Sequence, residues 1–316
     1  MKLSQLIHEY IVLKKSIGMR FLTESAILNS FCRAMGDIDI TQVTFNRIQN
    51  YLNGTGPITT FWHRKHDALK GFYRFALGRA HVLSSPLPTI IPKRPAPFQP
   101  YIYTHNQFRQ LVEMTNILEN SPRCQIQAIT FRTLLILLYG TGLRISEALS
   151  LTLSDVDLSQ GLLIIRDTKF FKTRLVPISH QLIKVLANYE KNRRLLPRPA
   201  KNSSAFFATR LGRALRRAST ERIFRMLCEC AGISRMDGGR FQPRLHDIRH
   251  TFALNRLISW YRQGADVQKL LPFLSTYLGH IDVAATQRYL VMTPELLSEA
   301  SLRFQRYVIE GGINHE

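Results

Sequence analysis

Two arginines, two histidines and one tyrosine stand out by type and by order along the chain. Arg144 lies in Gly140-Thr141-Gly142-Leu143-Arg144-Ile145-Ser146-Glu147. Far downstream come His246-Asp247-Ile248-Arg249-His250, then Leu278-Gly279-His280, then Tyr289. A guanidinium is a planar fork that grips two phosphate oxygens at once. Imidazoles move or share protons near neutral pH. A tyrosine hydroxyl attacks only when a base or a positive field lowers the cost of its anion. Together these groups supply phosphoryl transfer through a covalent intermediate, with no metal and no cofactor called for. No single piece is specific. His-x-x-Arg arises by chance on solvated helix faces, and a lone tyrosine is usually a core-edge residue. Arg144 and Glu147, three apart, read either as a surface ion pair or as Glu147 orienting Arg144 or a histidine.

These side chains need elements to hold them. Leu134-Leu135-Ile136-Leu137-Leu138-Tyr139 reads as a buried helix stopped by Gly140 and Gly142, with a new helix restarting from Arg144 to Leu151. A guanidinium beside fresh helical N–H groups makes an anion site. His246 and Arg249 share one face of a helix entered at Pro243, and His250 reads as structural. Tyr289 falls in a short helical stretch, Thr286 to Val291. Leu162–Arg166 and Thr173–Ile178 read as strands joined by a turn rich in Lys and Phe. Another helix opens at His105. Upstream, Leu3, Leu6, Ile7, Tyr10 and Ile11, then Ile27, Leu28, Phe31 and Met35, recur at helical spacing. Trp62 to Phe75 forms a basic, aromatic helix whose stripe (Leu69, Phe72, Phe75, Leu77) reads as core. Prolines at 86, 88, 92, 95, 97 and 100 make a stiff connector. The expectation is a mainly α protein with a small antiparallel β-sheet in its C-terminal domain (α+β). Its parts are a helical domain over 1–88, a Pro-rich linker over 89–103 and a second domain over 104–316, with a tail from about 294.

Composition narrows the partner. The 316 residues carry 43 Lys and Arg against 22 Asp and Glu, a formal charge of +21, which calls for a polyanion. Nucleic acid is the usual one, through counterion release at phosphates. Arg64, Lys65, Lys70 and Arg74 on the basic helix, and Lys93 and Arg94 in the linker, are candidate DNA-binding residues. A membrane is the rival, but no apolar run approaches the length of a bilayer span. The N-terminus lacks the basic-then-apolar pattern of a secretion signal. Cys32, Cys124, Cys228 and Cys230 match no ordinary zinc spacing and read as thiols on or near buried helix faces in a reducing, cytoplasmic compartment.

The boxes as a set resemble the tyrosine recombinases, the phage-integrase type of site-specific recombinase. Residues 140–149 resemble the family's first-arginine box, and 246–253 its His-x-x-Arg box almost letter for letter. Leu278-Gly279-His280 and Tyr289 resemble its closing histidine and nucleophile. The resemblance covers the second domain, whereas the first looks like the family's helical core-binding domain only in kind. It implies a two-domain clamp on duplex DNA that cuts and rejoins strands through a 3′-phosphotyrosyl link. Arg144, Arg249, His246 and His280 would act with Tyr289. A lysine in the strand turn would protonate the leaving 5′-oxygen. The family turn carries Gly-Lys-Gly, whereas here it reads Asp167-Thr168-Lys169-Phe170-Phe171-Lys172; position relative to Arg144 and to the Leu175-Val176-Pro177 strand favours Lys169 and leaves Lys172 as the alternative. The resemblance further implies a tetrameric synapse on specific DNA sites, accessory proteins, and a tail that packs on a neighbouring protomer; packing on its own domain is the other reading. Residues 254–278 resemble recombinases of transposons and similar bacterial mobile elements. A type IB topoisomerase, or a DNA-binding protein of the same fold that no longer cuts, are the alternatives.

Overall fold

The computed structural model describes residues 1–95, 99–121, 124–166, 173–197, 201–237, 241–280, 282–287, 289 and 294–311. Both lysine candidates, Lys169 and Lys172, lie outside these residues. The chain divides into two units, Met1–Pro97 and Phe98–Glu316. The division falls within the proline-rich stretch.

The first unit is helical: α1 (Leu3–Ser16), α2 (Leu22–Met35), α3 (Phe45–Asn53) and α4 (Thr60–Gly78). Leu3, Leu6 and Ile7 of α1 meet Leu28 and Phe31 of α2, Ile48 and Leu52 of α3, and Leu69 and Phe72 of α4 in one core. The α4 stripe differs from expectation at its edges, because Phe75 is only half-buried and Leu77 is exposed. The buried line runs through Leu69, Phe72, Tyr73 and Ala76. At about 100° per residue, Phe75 and Leu77 fall roughly a quarter turn or more to either side of it. Trp62, His63 and His66 are buried as well, with the His66 ring stacked on Trp62.

The second unit opens with Gln99–Tyr103 bonded into it. The Arg235 guanidinium donates to the Gln99 and Pro100 carbonyls at 2.8 and 3.3 Å, and the Tyr103 N–H donates to Thr251 Oγ1 at 3.0 Å. Helices α5 (His105–Met114), α6 (Ala128–Thr141) and α7 (Ile145–Ser150) follow. Thr104 caps α5 with a reciprocal pair to Gln107. Strands β1 (Val156–Asp157), β2 (Leu162–Ile165) and β3 (Arg174–Pro177) form an antiparallel sheet in that order, with Leu163 opposite Val176. The two-residue β1 is too short to announce itself by periodicity. Then come α8 (His180–Arg194), α9 (Arg217–Cys230), α10 (Asp247–Arg262), α11 (Val267–Leu278), α12 (Ala284–Gln287) and α13 (Pro294–Gly311).

Helix α6 is apolar nearly all round and is buried accordingly. It runs through Gly140 and stops only at Gly142, so Gly140 is not the break the sequence suggested. The main core gathers α6, the sheet, α8 and α9. A second cluster joins α10 and α11 (Phe252, Leu257, Leu274, Leu278) to Tyr289 and to Leu296 of α13. Helix α13 lies on α10 of its own chain, where Arg262 pairs with Glu295 at 2.9 Å and Glu299 at 2.8 Å. Leu297, Leu302 and Phe304 of α13 are exposed. Of the cysteines, Cys228 is buried and Cys230 exposed, so the thiols do not share one buried face. Among the described residues no helix is long and apolar enough to cross a membrane, and no cluster of side chains is suited to hold a metal ion.

Candidate active site

The site is assembled at three helix ends. The first is the break between α6 and α7. Gly142 adopts the left-handed conformation that closes α6, and its N–H donates to the Leu138 carbonyl at 2.9 Å. The chain turns through buried Leu143 and delivers Arg144 as the residue before α7. Glu147, in the first turn of α7, accepts from the Arg144 N–H at 2.9 Å and from the Arg144 guanidinium at 2.7 Å. The remaining arm of Arg144 donates to the Gly279 carbonyl at 3.0 Å. Glu147 is buried. The pair is therefore no surface bridge, and Glu147 orients Arg144.

The second end is the start of α10. Asp247, buried in its first turn, accepts from the Arg244 N–H at 2.9 Å and the Arg244 guanidinium at 3.0 Å, which fixes the entrance. His246 precedes the helix and stands exposed at the rim. Arg249, one turn on, is buried: it donates to the Gly142 carbonyl at 2.7 Å and the Leu278 carbonyl at 2.7 Å. Burial and the neighbouring Arg144 charge push its pKa down to about 10, so it remains a cation at neutral pH.

The third end is the close of α11. Gly279 is left-handed, its N–H donates to the Thr276 carbonyl at 2.9 Å, and the His280 N–H donates to the Ser275 carbonyl at 2.9 Å. This double closure satisfies earlier carbonyls and leaves three consecutive ones, Tyr277, Leu278 and Gly279, facing the site. Each takes a different guanidinium: Arg174 at 3.1 Å, Arg249 at 2.7 Å and Arg144 at 3.0 Å. The negative end of a helix dipole thus meets three cations.

His280 follows directly. Its Nε2 lies 3.0 Å from the Arg249 guanidinium, which can only donate, and its Nδ1 lies 2.7 Å from Thr286 Oγ1. That geometry assigns the proton to Nδ1. Burial, then repulsion from Arg249 and Arg144, hold the His280 pKa down at about 4, so the ring is neutral at pH 7. The Tyr289 ring stacks on it at 6.1 Å and is itself only 3 % exposed. His250 packs edge-on against Tyr289 at 5.5 Å and against His246 at 5.2 Å. Burial and Arg249 lower the His250 pKa to about 4, and partial burial, His250 and Arg249 lower that of His246.

The structure therefore brings together five of the six sequence candidates, Arg144, His246, Arg249, His280 and Tyr289, and places His250 edge-on between His246 and Tyr289. A cleft of ≈ 570 Å³ opens beside Arg144 and His246, lined also by Arg217, Arg225, Phe241 and Arg244. Four of the proposed DNA-binding residues other than Lys65 and Arg94 (Arg64, Lys70, Arg74 and Lys93) are exposed in the first unit. Lys65 is engaged inside that unit, donating to the Tyr51 carbonyl at 2.7 Å over the Tyr51 ring, and Arg94 lies 3.6 Å from Asp67. Sequence reasoning missed Arg174 and Thr286. Arg174 did leave a signal: the alternation of β3 turns residues 174 and 176 to one face, and 176 is buried, so a charge stood at an inward position. Thr286 left none.

Comparison with known proteins adds an independent line. Residues 103–295 match the Phage integrase family. The chain is 33% identical over 304 residues to a protein of Sinorhizobium fredii named as an integrase/recombinase, y4rB, covering 96% of each. It is 25% identical over 314 residues to the tyrosine recombinase XerC of Pediococcus pentosaceus, covering 96% of this chain and 98% of that one. In fold it resembles the Tn1549 transposon integrase solved with transposon right end DNA, with a TM-score of 0.70 at 15% identity, covering 98% of this chain and 100% of that one.

Proposed function

The chain belongs to the phage integrase family of tyrosine recombinases, and from that premise we propose that it cuts and rejoins duplex DNA at specific sites with Tyr289 as nucleophile. The Tyr289 oxygen attacks the scissile phosphorus, giving a 3′-phosphotyrosyl ester and releasing a 5′-hydroxyl. Lys169 gives that leaving oxygen its proton, with Lys172 as the alternative donor. The hydroxyl of a partner strand then attacks the ester, frees the tyrosine and joins new ends, so the bond energy is conserved throughout. Arg144 and Arg249 bind the non-bridging oxygens. Each guanidinium has five N–H donors and uses only some of them on Glu147 and backbone carbonyls, which hold the rest at fixed angles. His280, neutral and with its Nδ1 proton held toward Thr286, keeps Nε2 unprotonated as a base that can take the Tyr289 hydroxyl proton, and neutral His246 at the rim exchanges protons with the other reacting groups.

The observation that carries this reading is the convergence of two arginines and Tyr289 around one histidine, with Arg249 at 3.0 Å and the tyrosine ring stacked at 6.1 Å. Exposed Arg64, Lys70, Arg74 and Lys93 extend the contact along the DNA backbone, and the working assembly is a tetramer on two DNA sites in the bacterial cytoplasm.

The test is covalent trapping on a nicked suicide duplex drawn from the DNA flanking the gene, with EDTA present. Wild type should give an SDS-resistant protein–DNA band. Tyr289→Phe should give none while binding the duplex as tightly as wild type. A band that survives in Tyr289→Phe overturns the assignment.

A further inference from the structure

Arg174 belongs to none of the boxes, yet its bonds converge on them. Its guanidinium donates to Glu147 Oε1 at 3.1 Å and Oε2 at 2.9 Å, and its Nε donates to the Tyr277 carbonyl at 3.1 Å. The side chain is only 11% exposed. Each Glu147 oxygen is shared: Oε1 between the Arg144 and Arg174 guanidiniums, Oε2 between the Arg144 N–H and Arg174. Glu147 is thereby held from both sides and has one orientation to offer Arg144. Arg174 also lies flat against Gly279, where a Cβ would stand 2.6 Å from its Nη1 and 2.7 Å from its Cζ. Gly279 bears the carbonyl that Arg144 uses and immediately precedes His280. We propose that Arg174 is a positioning residue for strand cleavage: it sets Arg144 through Glu147, and His280 through Gly279, without itself contacting DNA.

The physical argument is one of shared acceptors. Burial alone would raise the Glu147 pKa; the hydrogen bonds and charge of Arg174, then those of Arg144, overcome burial and hold it at about 2. Without Arg174 the carboxylate keeps one cationic partner and half its bonds. It then either rotates toward Arg144 and drags the guanidinium off its line, or takes a proton and releases it. A lysine in place of Arg174 keeps the charge but not the planar fork that meets both oxygens. Arg174 also anchors the first residue of β3, so the strand that follows the lysine-bearing residues 167–172 is tied to the same carboxylate.

This inference rests on the reading that the site cleaves DNA, and the experiment separates the two. Capture on the suicide duplex is measured under single-turnover, DNA-saturating conditions for wild type, Arg174→Gln, Arg174→Lys and Glu147→Gln. Temperatures are those at which circular dichroism shows each variant folded. Binding and its salt dependence are measured with each change placed in the Tyr289→Phe background. A misplaced guanidinium should lower capture by about 100-fold in Arg174→Gln, with Arg174→Lys intermediate. Affinity and the slope of log K against log salt should stay at the parental values. Arg174→Gln combined with Glu147→Gln should lose no more than the worse single variant, because both act through one unit. The rate of Arg174→Gln should also fall at a higher pH than that of wild type as Glu147 takes a proton.

Capture by folded Arg174→Gln equal to wild type overturns the proposal. So does a salt slope lowered by about one, the mark of a lost phosphate contact. If Arg174→Gln does not fold, Arg174→Lys decides: wild-type capture by that folded variant overturns the positioning role, and reduced capture with unchanged binding supports it. Wild type that captures no more than Tyr289→Phe would sink the cleavage reading itself.

Discussion

Helix α6 ends at Gly142 and helix α11 ends at Gly279, both left-handed, with φ of +63° and +68°. Both ends deliver a carbonyl to Arg249 or Arg144 and launch a residue of the site. They are kept free of a side chain for different reasons. A Cβ at Gly142 would lie 2.4 Å from Phe252 Cδ1 and 3.0 Å from Leu278 Cδ2, so the apolar core presses on it. The three atoms nearest a Cβ at Gly279 would all belong to the Arg174 guanidinium, the far end of a long side chain. One end is fixed by packing and the other by charge. Mutations should therefore separate stability from activity along that line.

The largest stability effect belongs to Gly142→Ala. Left-handed strain of about 1 kcal/mol adds to overpacking of about 2 kcal/mol. A domain of this size should lose on the order of 6–12 °C in melting temperature, read by circular dichroism. Gly279→Ala should cost about 1–2 kcal/mol, the left-handed strain together with the Arg174 bonds that loosen as its guanidinium shifts to make room. Its capture of DNA should nonetheless fall at least about 10-fold, since Arg174 and the Gly279 carbonyl are displaced. If Gly279→Ala melts lower than Gly142→Ala, the contrast between the two ends is wrong.

A double-mutant cycle sharpens the contrast. Phe252→Leu should recover part of the loss in the Gly142→Ala background, with a coupling of at least about 0.5 kcal/mol. In the Gly279→Ala background the two costs should simply add. Equal coupling in both backgrounds would mean that Phe252 senses both ends.

The smallest effect is a slope in pH. The α11 end carries His280, with His250 close by, and both are held near 4 in the folded protein against an ordinary 6.5. Below 6.5 the unfolded chain binds protons that the folded one refuses. The stability due to these rings is complete above pH 6.5, declines as pH falls toward about 4, and is level below that. Melting temperature should fall between pH 6.5 and about 4, less steeply in His280→Gln, and go on falling below 4 as Glu147, held at about 2, takes up its proton. A wild-type melting temperature that is level between pH 6.5 and 4 would show that these rings are not buried as neutral groups.

Much of this organisation could be read from local pattern. The α1 and α2 stripes, the Gly142 stop, the start of α10 and the β2–β3 pair are carried by neighbours within a few residues, so spacing alone exposes them. The boxes that carry Arg144, Arg249, His280 and Tyr289 were legible for the same reason. What stayed hidden depends on partners brought together by the fold. Arg174 meets the Tyr277 carbonyl 103 positions away, and Arg144 meets that of Gly279 across 135. No window reports such pairs. Thr286 orients His280 from the short helix α12, whose sequence looks ordinary. The burial of Glu147 turned an apparent surface bridge into a shared acceptor, and His250 packs edge-on against Tyr289. The stripe on α4 was read one position too wide because Phe75 and Leu77 are apolar but off its axis.

The three carbonyls at the end of α11 hold three guanidiniums, and among the described residues only Glu147 of their bonded partners is an anion. The cluster is overcharged by two. A phosphodiester in its ground state brings a single negative charge. As the tyrosine oxygen approaches and the leaving oxygen departs, charge builds on the reacting group. With the phosphate held by Arg144 and Arg249 as proposed, the cluster's attraction to DNA would grow along the reaction coordinate and be greatest at the barrier. An imbalance that the folded protein tolerates at rest is thus a preference for the transition state over the substrate.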